Sequence, residues 1–169
     1  MNYDFAAHQA LQRTAGDRNL RTALRKLREL GASAFVVEYD GSGDDGQIEY
    51  SGVEGDAQDL DARAAAMDVC FWHVKTLAPS EGTEPVFRYR LARGRRSLTD
   101  VATDAMHDYL ESLWAGWENN DGAFGVVRLD VASGKLSLEH NSRYTSYETT
   151  VSDVTVAPTA RRAAIPAAV

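Results

Sequence analysis

Between Leu20 and Leu30 the apolar positions fall three and four residues apart: Leu20, Ala23, Leu24, Leu27 and Leu30. That spacing lines one face of a helix and leaves the intervening arginines on the others. It predicts a helix from about Asp17 to Leu30, with Asp17 as N-cap and Gly31 just past the last turn. Residues 3–15 read as another helical stretch, with Gly16 as the break. The period then drops to two. From Ser33 to Asp40, Phe35, Val37 and Tyr39 share one face and Val36, Glu38 and Asp40 the other, which predicts a strand. Gln47–Ser51 reads as its partner, with Ile48 and Tyr50 inward. Gly41–Gly46 is turn chemistry, so the two strands are expected to form a hairpin with a long loop.

Further on the pattern is less regular. Leu60–Leu77 starts Ala-rich and reads as helix, although Val69–Val74 alone would suit a strand. Pro79–Pro85 is a connector and Val86–Ala92 a short strand. Ser97-Leu98-Thr99-Asp100 resembles a capping box with Asp in place of Glu, and the apolar positions from Leu98 to Leu113 continue as a helix ending before Gly116. Gly125–Asp130 and Lys135–His140 flank Ala132-Ser133-Gly134 as a second hairpin. Tyr144–Val151 could add an edge strand. The expected fold is therefore α+β: an antiparallel sheet of four to five strands from two hairpins, with two to three helices packed on one face. Its core would draw on Leu20, Leu24, Leu27, Phe35, Val37, Ile48, Val101, Leu110, Leu113, Val127 and Leu138. Residues 1–157 read as one domain, with an insertion at about 56–96, and 158–169 as a loose tail.

Composition narrows the class. The chain has 169 residues, of which 44% are hydrophobic and 25% charged, ordinary values for a domain that buries its own core. Its single cysteine, Cys70, sits among apolar neighbours and reads as inert in a reducing compartment. No basic-then-apolar leader opens the sequence and no run approaches a membrane span, so a cytoplasmic location away from membranes is expected. The net charge is −7, which argues against direct nucleic-acid binding by the surface as a whole. The charge is uneven, however. Nine acidic residues and no Lys or Arg lie between Glu38 and Asp61, whereas arginines gather at Arg13–Arg28 and Arg88–Arg96.

Two segments resemble a known pattern. Tyr39-Asp40-Gly41-Ser42-Gly43-Asp44-Asp45-Gly46-Gln47-Ile48-Glu49 is similar to the first signature of an uncharacterised family of bacterial plasmid and prophage proteins. Gly116-Trp117-Glu118-Asn119-Asn120-Asp121-Gly122-Ala123-Phe124-Gly125, followed by Leu138–Tyr144, is similar to the second. The resemblance spans about residues 20–147. It transfers no activity. It implies a setting: an accessory protein of mobile DNA.

Few constellations carry chemistry. Asp40–Gly46 has the alternating oxygens of a calcium loop, but Asp45 stands where Gly is needed and Ser51 where a closing Glu is needed. Capping of a hairpin turn is the simpler reading. Glu38, Asp40 and Glu49 would crowd one face of the first hairpin, which calls for a neutralising partner. Arg128, Arg143, a helix arginine, a cation or another protein could each supply it. A divalent cation held by Asp40, Glu49, Glu118 and Asp121 would suit hydrolysis, although the usual nuclease spacings are absent. Trp117, Glu118, Asn119, Asn120, Asp121, His140 and Arg143 form a candidate pocket. Alternatively they serve a demanding loop, with Trp117 in the core and His140 a half-buried, satisfied histidine. The histidines show no zinc spacing, and no phosphate loop or nucleophile elbow is present. The arginines of Arg88–Arg96, with one interleaved Tyr, resemble a phosphate-contacting stretch but read more simply as a solvated strand.

These readings lean away from an enzyme and from any cofactor. The expected function is a non-enzymatic binding protein whose acidic surface meets a host protein complex. That surface comprises Glu38, Asp40, Asp44, Asp45, Glu49, Glu54 and Asp56. It would block a host defence or nucleic-acid-handling machine such as a CRISPR effector. The alternatives are a carboxylate–metal hydrolase or nuclease, and a structural or regulatory subunit, either a monomer or a homodimer pairing basic and acidic patches.

Overall fold

The computed structural model describes residues 4–77 and 88–152. The chain opens with one long helix, α1 (Phe5–Leu30). Its Gly16 does not break it. Glycine inside a helix costs only about 1 kcal/mol relative to alanine, and here it admits a close neighbour: a Cβ at Gly16 would sit 3.4 Å from the Asp108 carboxylate. The N-cap is Asp4, whose side chain accepts from Ala7 N, not Asp17, which lies mid-helix. Gly31 ends the helix at φ 82°. Its N–H donates to Arg28 O and Ala32 N–H to Leu27 O, the paired bonds of a Schellman cap.

Two hairpins follow the expected plan. Strands β1 (Ala34–Ser42) and β2 (Asp45–Glu54) form the first, and the strands Ala123–Asp130 and Leu136–Ser142 the second. The first strand of each pairs antiparallel with the other, giving one four-stranded antiparallel sheet. The first hairpin is tighter than expected. Only Gly43 and Asp44 lie between its paired strand ends, with φ of 62° and 67°, the left-handed pair that a two-residue hairpin turn demands. A bulge sits at Glu49, since Glu38 pairs with Tyr50 but Tyr39 with Ile48. The extra residue flips the alternation. Ile48 stays on the core side as expected, whereas Tyr50 turns outward and is 45% exposed.

The segment 60–77 is not one helix. It divides into α2 (Leu60–Ala66) and strand β3 (Asp68–Leu77). The latter pairs with β4 (Arg88–Ser97) as a separate two-stranded ribbon. Strand β4 runs on to Ser97, past the expected end at Ala92. The expected start at Val86 and the connector 79–85 lie outside the described residues, as does the tail 158–169. Ser97 then caps α3 (Leu98–Leu113), accepting from Asp100 N at 3.1 Å. With their places in the chain fixed, the second hairpin's strands are β5 (Ala123–Asp130) and β6 (Leu136–Ser142). Residues 144–151 form no strand, so the sheet stops at four.

The core lies between the sheet and the helices. Leu27, Phe35, Val37, Val101, Leu110 and Val127 are all essentially buried. Leu20, Leu24, Ile48 and Leu138 pack on its margin, half-buried. Leu113 does not join it: at the last turn of α3 it is 54% exposed. Outside the sheet, α1 runs along the edge of the ribbon and packs against α3. Arg28 ties α1 to the second hairpin by donating to Val131 O and Ala132 O.

Candidate functional site

The two signature segments meet in space. The tip of the β1–β2 hairpin lies on the loop 116–122, and the chain leaving β6 closes over both. Trp117 forms the floor of this clasp and is 6% exposed. Its ring meets Tyr39 edge-on at 5.0 Å, and its Nε1 donates to Glu111 Oε1 at 2.8 Å. Gly41 and Gly46 flank the hairpin turn across from each other, and their missing side chains make room for the indole. A Cβ would stand 2.7 Å from Trp117 Cζ3 at Gly41 and 2.6 Å from Cη2 at Gly46. These glycines serve contact; Gly43 and Asp44 serve the turn.

Hydrogen bonds stitch the loops together. Gly43 N donates to Asn120 O at 2.8 Å, and Asp44 N to Glu118 O at 3.2 Å. The Asp44 carboxylate accepts from Asn120 N at 3.1 Å. Arg143 then locks the tip. It makes a bidentate pair with Asp40 at 2.9 and 2.8 Å and donates to Gly41 O at 2.8 Å. Its guanidinium also lies 4.7 Å over the Phe124 ring. The hydrogen bond from Arg143 holds the Asp40 carboxyl below its usual range. Asp121 accepts from Thr145 N and Oγ1 at 2.5 and 2.6 Å, and these bonds lower its pKa in the same way. One Glu118 carboxylate oxygen, Oε2, is shielded from solvent and has no hydrogen-bond partner among the described residues.

Not all the candidate pocket residues converge. Asn119 is exposed beside Gly116. His140 lies beyond Tyr39, whose hydroxyl is 2.7 Å from Nδ1, and it stacks on Trp114 at 4.1 Å. Burial lowers the His140 pKa, while burial and then Glu139 push the Tyr39 phenol up to about 12. At neutral pH both groups are therefore uncharged, which suits a mutual hydrogen bond more than proton transfer to a substrate.

The acidic surface divides into two classes. Asp40 is paired with Arg143, and Glu54 accepts both arms of Arg128 at 2.8 and 2.7 Å. Arg143 thus supplies the neutralising cation expected for Asp40, whereas Arg128 pairs with Glu54, outside the crowded set of Glu38, Asp40 and Glu49. Glu38, Asp45, Glu49 and Asp56 are exposed, and among the described residues no Lys or Arg pairs with them. Asp44 is exposed too, though one oxygen caps Asn120. Of the four carboxylates suggested for a divalent cation, Asp40 and Asp121 face the separate partners just described, and Glu49 accepts from Gln47 at 2.6 Å. Among the described residues no three His, Cys, Asp or Glu side chains gather in an arrangement that could hold a metal ion.

Sequence reasoning did not find Tyr50, which sits amid this acidic face. Burial, and then the nearby carboxylates of Asp61, Glu38 and Glu54, raise its phenol pKa. Only the bulge at Glu49 puts it on that face, and no local signal marks the bulge. No curated protein and no solved structure matches this chain. The sequence profile of a family of unknown function (DUF6878) matches residues 16–153, most of the chain, and the chain belongs to that family.

Proposed function

We propose that the chain acts by binding a protein partner, without catalysis, through the carboxylates around Tyr50 on the first hairpin. The observation that carries this is the set of exposed acidic side chains left without internal cations. Glu38, Asp45 and Glu49 are solvated, and Glu38 pairs across the hairpin with Tyr50, an aromatic residue that is half in water. Glu54 and Asp40, by contrast, are consumed by arginines within the fold. Unpaired like charges at close range cost stability, and a basic partner surface relieves that cost. Tyr adds contact area with little loss of side-chain freedom, which is why it recurs at the centres of interfaces.

The partner fitting this chemistry is a protein with a basic surface, and the richest source of those is machinery that handles nucleic acid. The signature motifs resemble those of plasmid and prophage proteins. On that resemblance the partner is a host nucleic-acid-handling or defence complex, with a CRISPR effector as one example. The carboxylates would occupy positions meant for phosphates.

The test uses the purified chain and purified candidate complexes. Binding is measured by biolayer interferometry for the parent and for a Glu38→Lys/Asp45→Lys/Glu49→Lys variant with an unchanged melting curve. Loss of binding in the variant, and a fall in association rate with salt, support the proposal. Binding that the triple reversal leaves intact places the interface elsewhere and overturns it.

A further inference from the structure

The two arginine-rich stretches lie about seventy residues apart in sequence, yet the fold sets them side by side. Together α1, β3 and β4 carry twelve lysines and arginines against three carboxylates, Asp17, Glu29 and Asp68. The net charge of −7 is thus an average over a strongly basic part and a more strongly acidic remainder. An argument from the whole chain's charge does not apply to either part.

Where α1 meets the ribbon there is a cleft of about 470 Å³. Its floor is the ribbon face carrying Cys70, Trp72, Arg93 and Arg95, and its wall is the α1 turn with Thr22, Arg25 and Lys26. Register places Trp72 opposite Arg93 and Cys70 opposite Arg95, so these four share a face. Trp72 organises the cations. The Arg93 guanidinium lies 4.5 Å from its ring centre, and that of Arg18, one turn from Thr22, lies 4.3 Å away. Each guanidinium is held by its attraction to the ring face while its N–H groups can still donate to a ligand. Two of the cleft's cations are already matched: Arg95 by Asp68 and Lys26 by Glu29, each at 2.5 Å. Arg18, Arg25 and Arg93 have no carboxylate at ion-pair distance among the described residues, and all three are exposed.

We infer that this cleft binds the phosphates and bases of single-stranded nucleic acid. Two unmatched guanidiniums on one indole, with a third lining the same cleft, are the wrong arrangement for a self-contained fold, since like charges so close repel. They are the right one for a chain of phosphates. Guanidinium planes fixed on an aromatic ring also offer flat surfaces on which an unpaired base can stack. A cleft favours a single strand over a duplex, whose bases are already stacked and turned inward. Lys75, Arg88 and Arg90 carry further positive charge at the outer end of the ribbon, on the face opposite the cleft. This site is remote in kind from the acidic hairpin, and its test does not depend on that proposal.

The test is fluorescence anisotropy with a labelled oligonucleotide of about 12 nucleotides, in single-stranded and duplex form, at low and moderate salt. The single strand is expected to bind in roughly the micromolar range at low salt, with affinity falling as about the second power of salt concentration for three phosphate contacts. Arg25→Glu and Arg93→Gln should each weaken binding by about tenfold, and Glu49→Lys should not weaken it. Trp72 emission should change on binding, and the Trp72→Phe variant should lose that change. Absence of binding at low salt overturns the inference, as does binding that both arginine variants leave untouched. Tighter binding of the duplex, or of a poly-glutamate peptide, also overturns it and redirects the site to those ligands.

Discussion

The side-chain amide of Asn19 pairs with the backbone of Trp72 as a neighbouring strand would. Trp72 N–H donates to Asn19 Oδ1 at 2.7 Å, and Asn19 Nδ2 donates to Trp72 O at 2.9 Å. Among the described residues Asn19 is the one buried polar side chain, and this is what it is buried for. It closes the open edge of β3 and fixes α1 against the ribbon. Asn19→Ala should leave a backbone donor and acceptor unmet and cost about 1–3 kcal/mol. Asn19→Asp keeps the acceptor but sets a carboxylate oxygen against the Trp72 carbonyl and buries a charge, so at neutral pH it should cost at least as much as Asn19→Ala. Urea denaturation of the three proteins checks the order. If the cleft binds nucleic acid, Asn19→Ala should also weaken that binding, since Arg18 and Trp72 would lose their common frame.

A second prediction separates the two kinds of glycine in the first hairpin. Gly43→Ala puts a Cβ at positive φ in open space, so only the backbone strain of about 1–2 kcal/mol applies. Gly46→Ala drives its Cβ into Trp117 at 2.6 Å, which costs about 1–3 kcal/mol through displacement of the indole. Gly122→Ala combines both penalties, because its φ is 74° and its Cβ would strike Gly41 O. It should be the worst of the three and should unfold the clasp. Thermal melts give the order, and near-ultraviolet circular dichroism reports whether Trp117 has moved.

Those glycines also show why the hairpin was only partly legible. Period-two alternation marks β5 most clearly, because one of its faces is buried and the other faces solvent, whereas in β1 residues 34–37 are buried on both faces and in β2 the bulge at Glu49 interrupts the pattern. The six residues from Gly41 to Gly46, five of them glycine or aspartate, then look like one long loop. Nothing local says that Gly41 and Gly46 are paired strand residues beside an indole seventy residues on. The ribbon was hidden for a related reason. Val69-Cys70-Phe71-Trp72 meets the core with one face and arginines and α1 with the other, so both faces are apolar and the alternation disappears. The Ala-rich α2 directly before it extends the helical impression. The pairing of Asp40 with Arg143 could be anticipated as a need, since like charges on one face require relief, but the pairing of Glu54 with Arg128 could not. The basic cleft could not, because it depends on which edge of the ribbon α1 covers.

Asp108 should be a liability at neutral pH. Its carboxylate faces Gly16 of α1, although part of its side chain stays in solvent. Burial raises its pKa, His107 opposes that, and Asp104 and Glu111 add to it. A carboxyl with a raised folded pKa favours the fold most below its unfolded value and loses that benefit as pH rises through the folded value. Asp108→Asn removes the charge at every pH. The variant should melt higher than the parent at pH 7, and the gap should close on acidification toward the ordinary carboxylate range. A gap that is independent of pH would point to packing in place of charge.

Asp40 should behave in the opposite way. Its pKa is lowered by the hydrogen bond from Arg143, so its contribution is present above the ordinary carboxylate value and is lost as pH falls through the lowered one. Glu54, Asp121 and Asp130 are shifted the same way by Arg128, Thr145 and Ser133. Acid should therefore loosen the clasp and the outer sheet together. Asp40→Asn should destabilise at pH 7 and converge with the parent in acid. Melts at pH 3, 5 and 7 test this, and an Asp40→Asn variant equal to the parent at pH 7 would show that the pair contributes nothing net.

His140 provides the last pH-sensitive prediction. Its ring stacks on Trp114 with planes 10° apart, and its Nδ1 lies 2.7 Å from the Tyr39 hydroxyl. Burial lowers its pKa below the ordinary 6.5. With the folded pKa lowered, the neutral ring is favoured. That stability is present above 6.5 and is lost as pH falls through the folded value. An NMR titration should place the His140 midpoint below 6.5, and Trp114→Ala should move it back, because the indole is what excludes water. Tyr39→Phe removes the hydroxyl partner from both His140 and Glu139 O and should cost about 1 kcal/mol. If Tyr39→Phe leaves stability and the His140 midpoint unchanged, the short Tyr39–His140 contact is not a hydrogen bond that matters, and the pair is only packed.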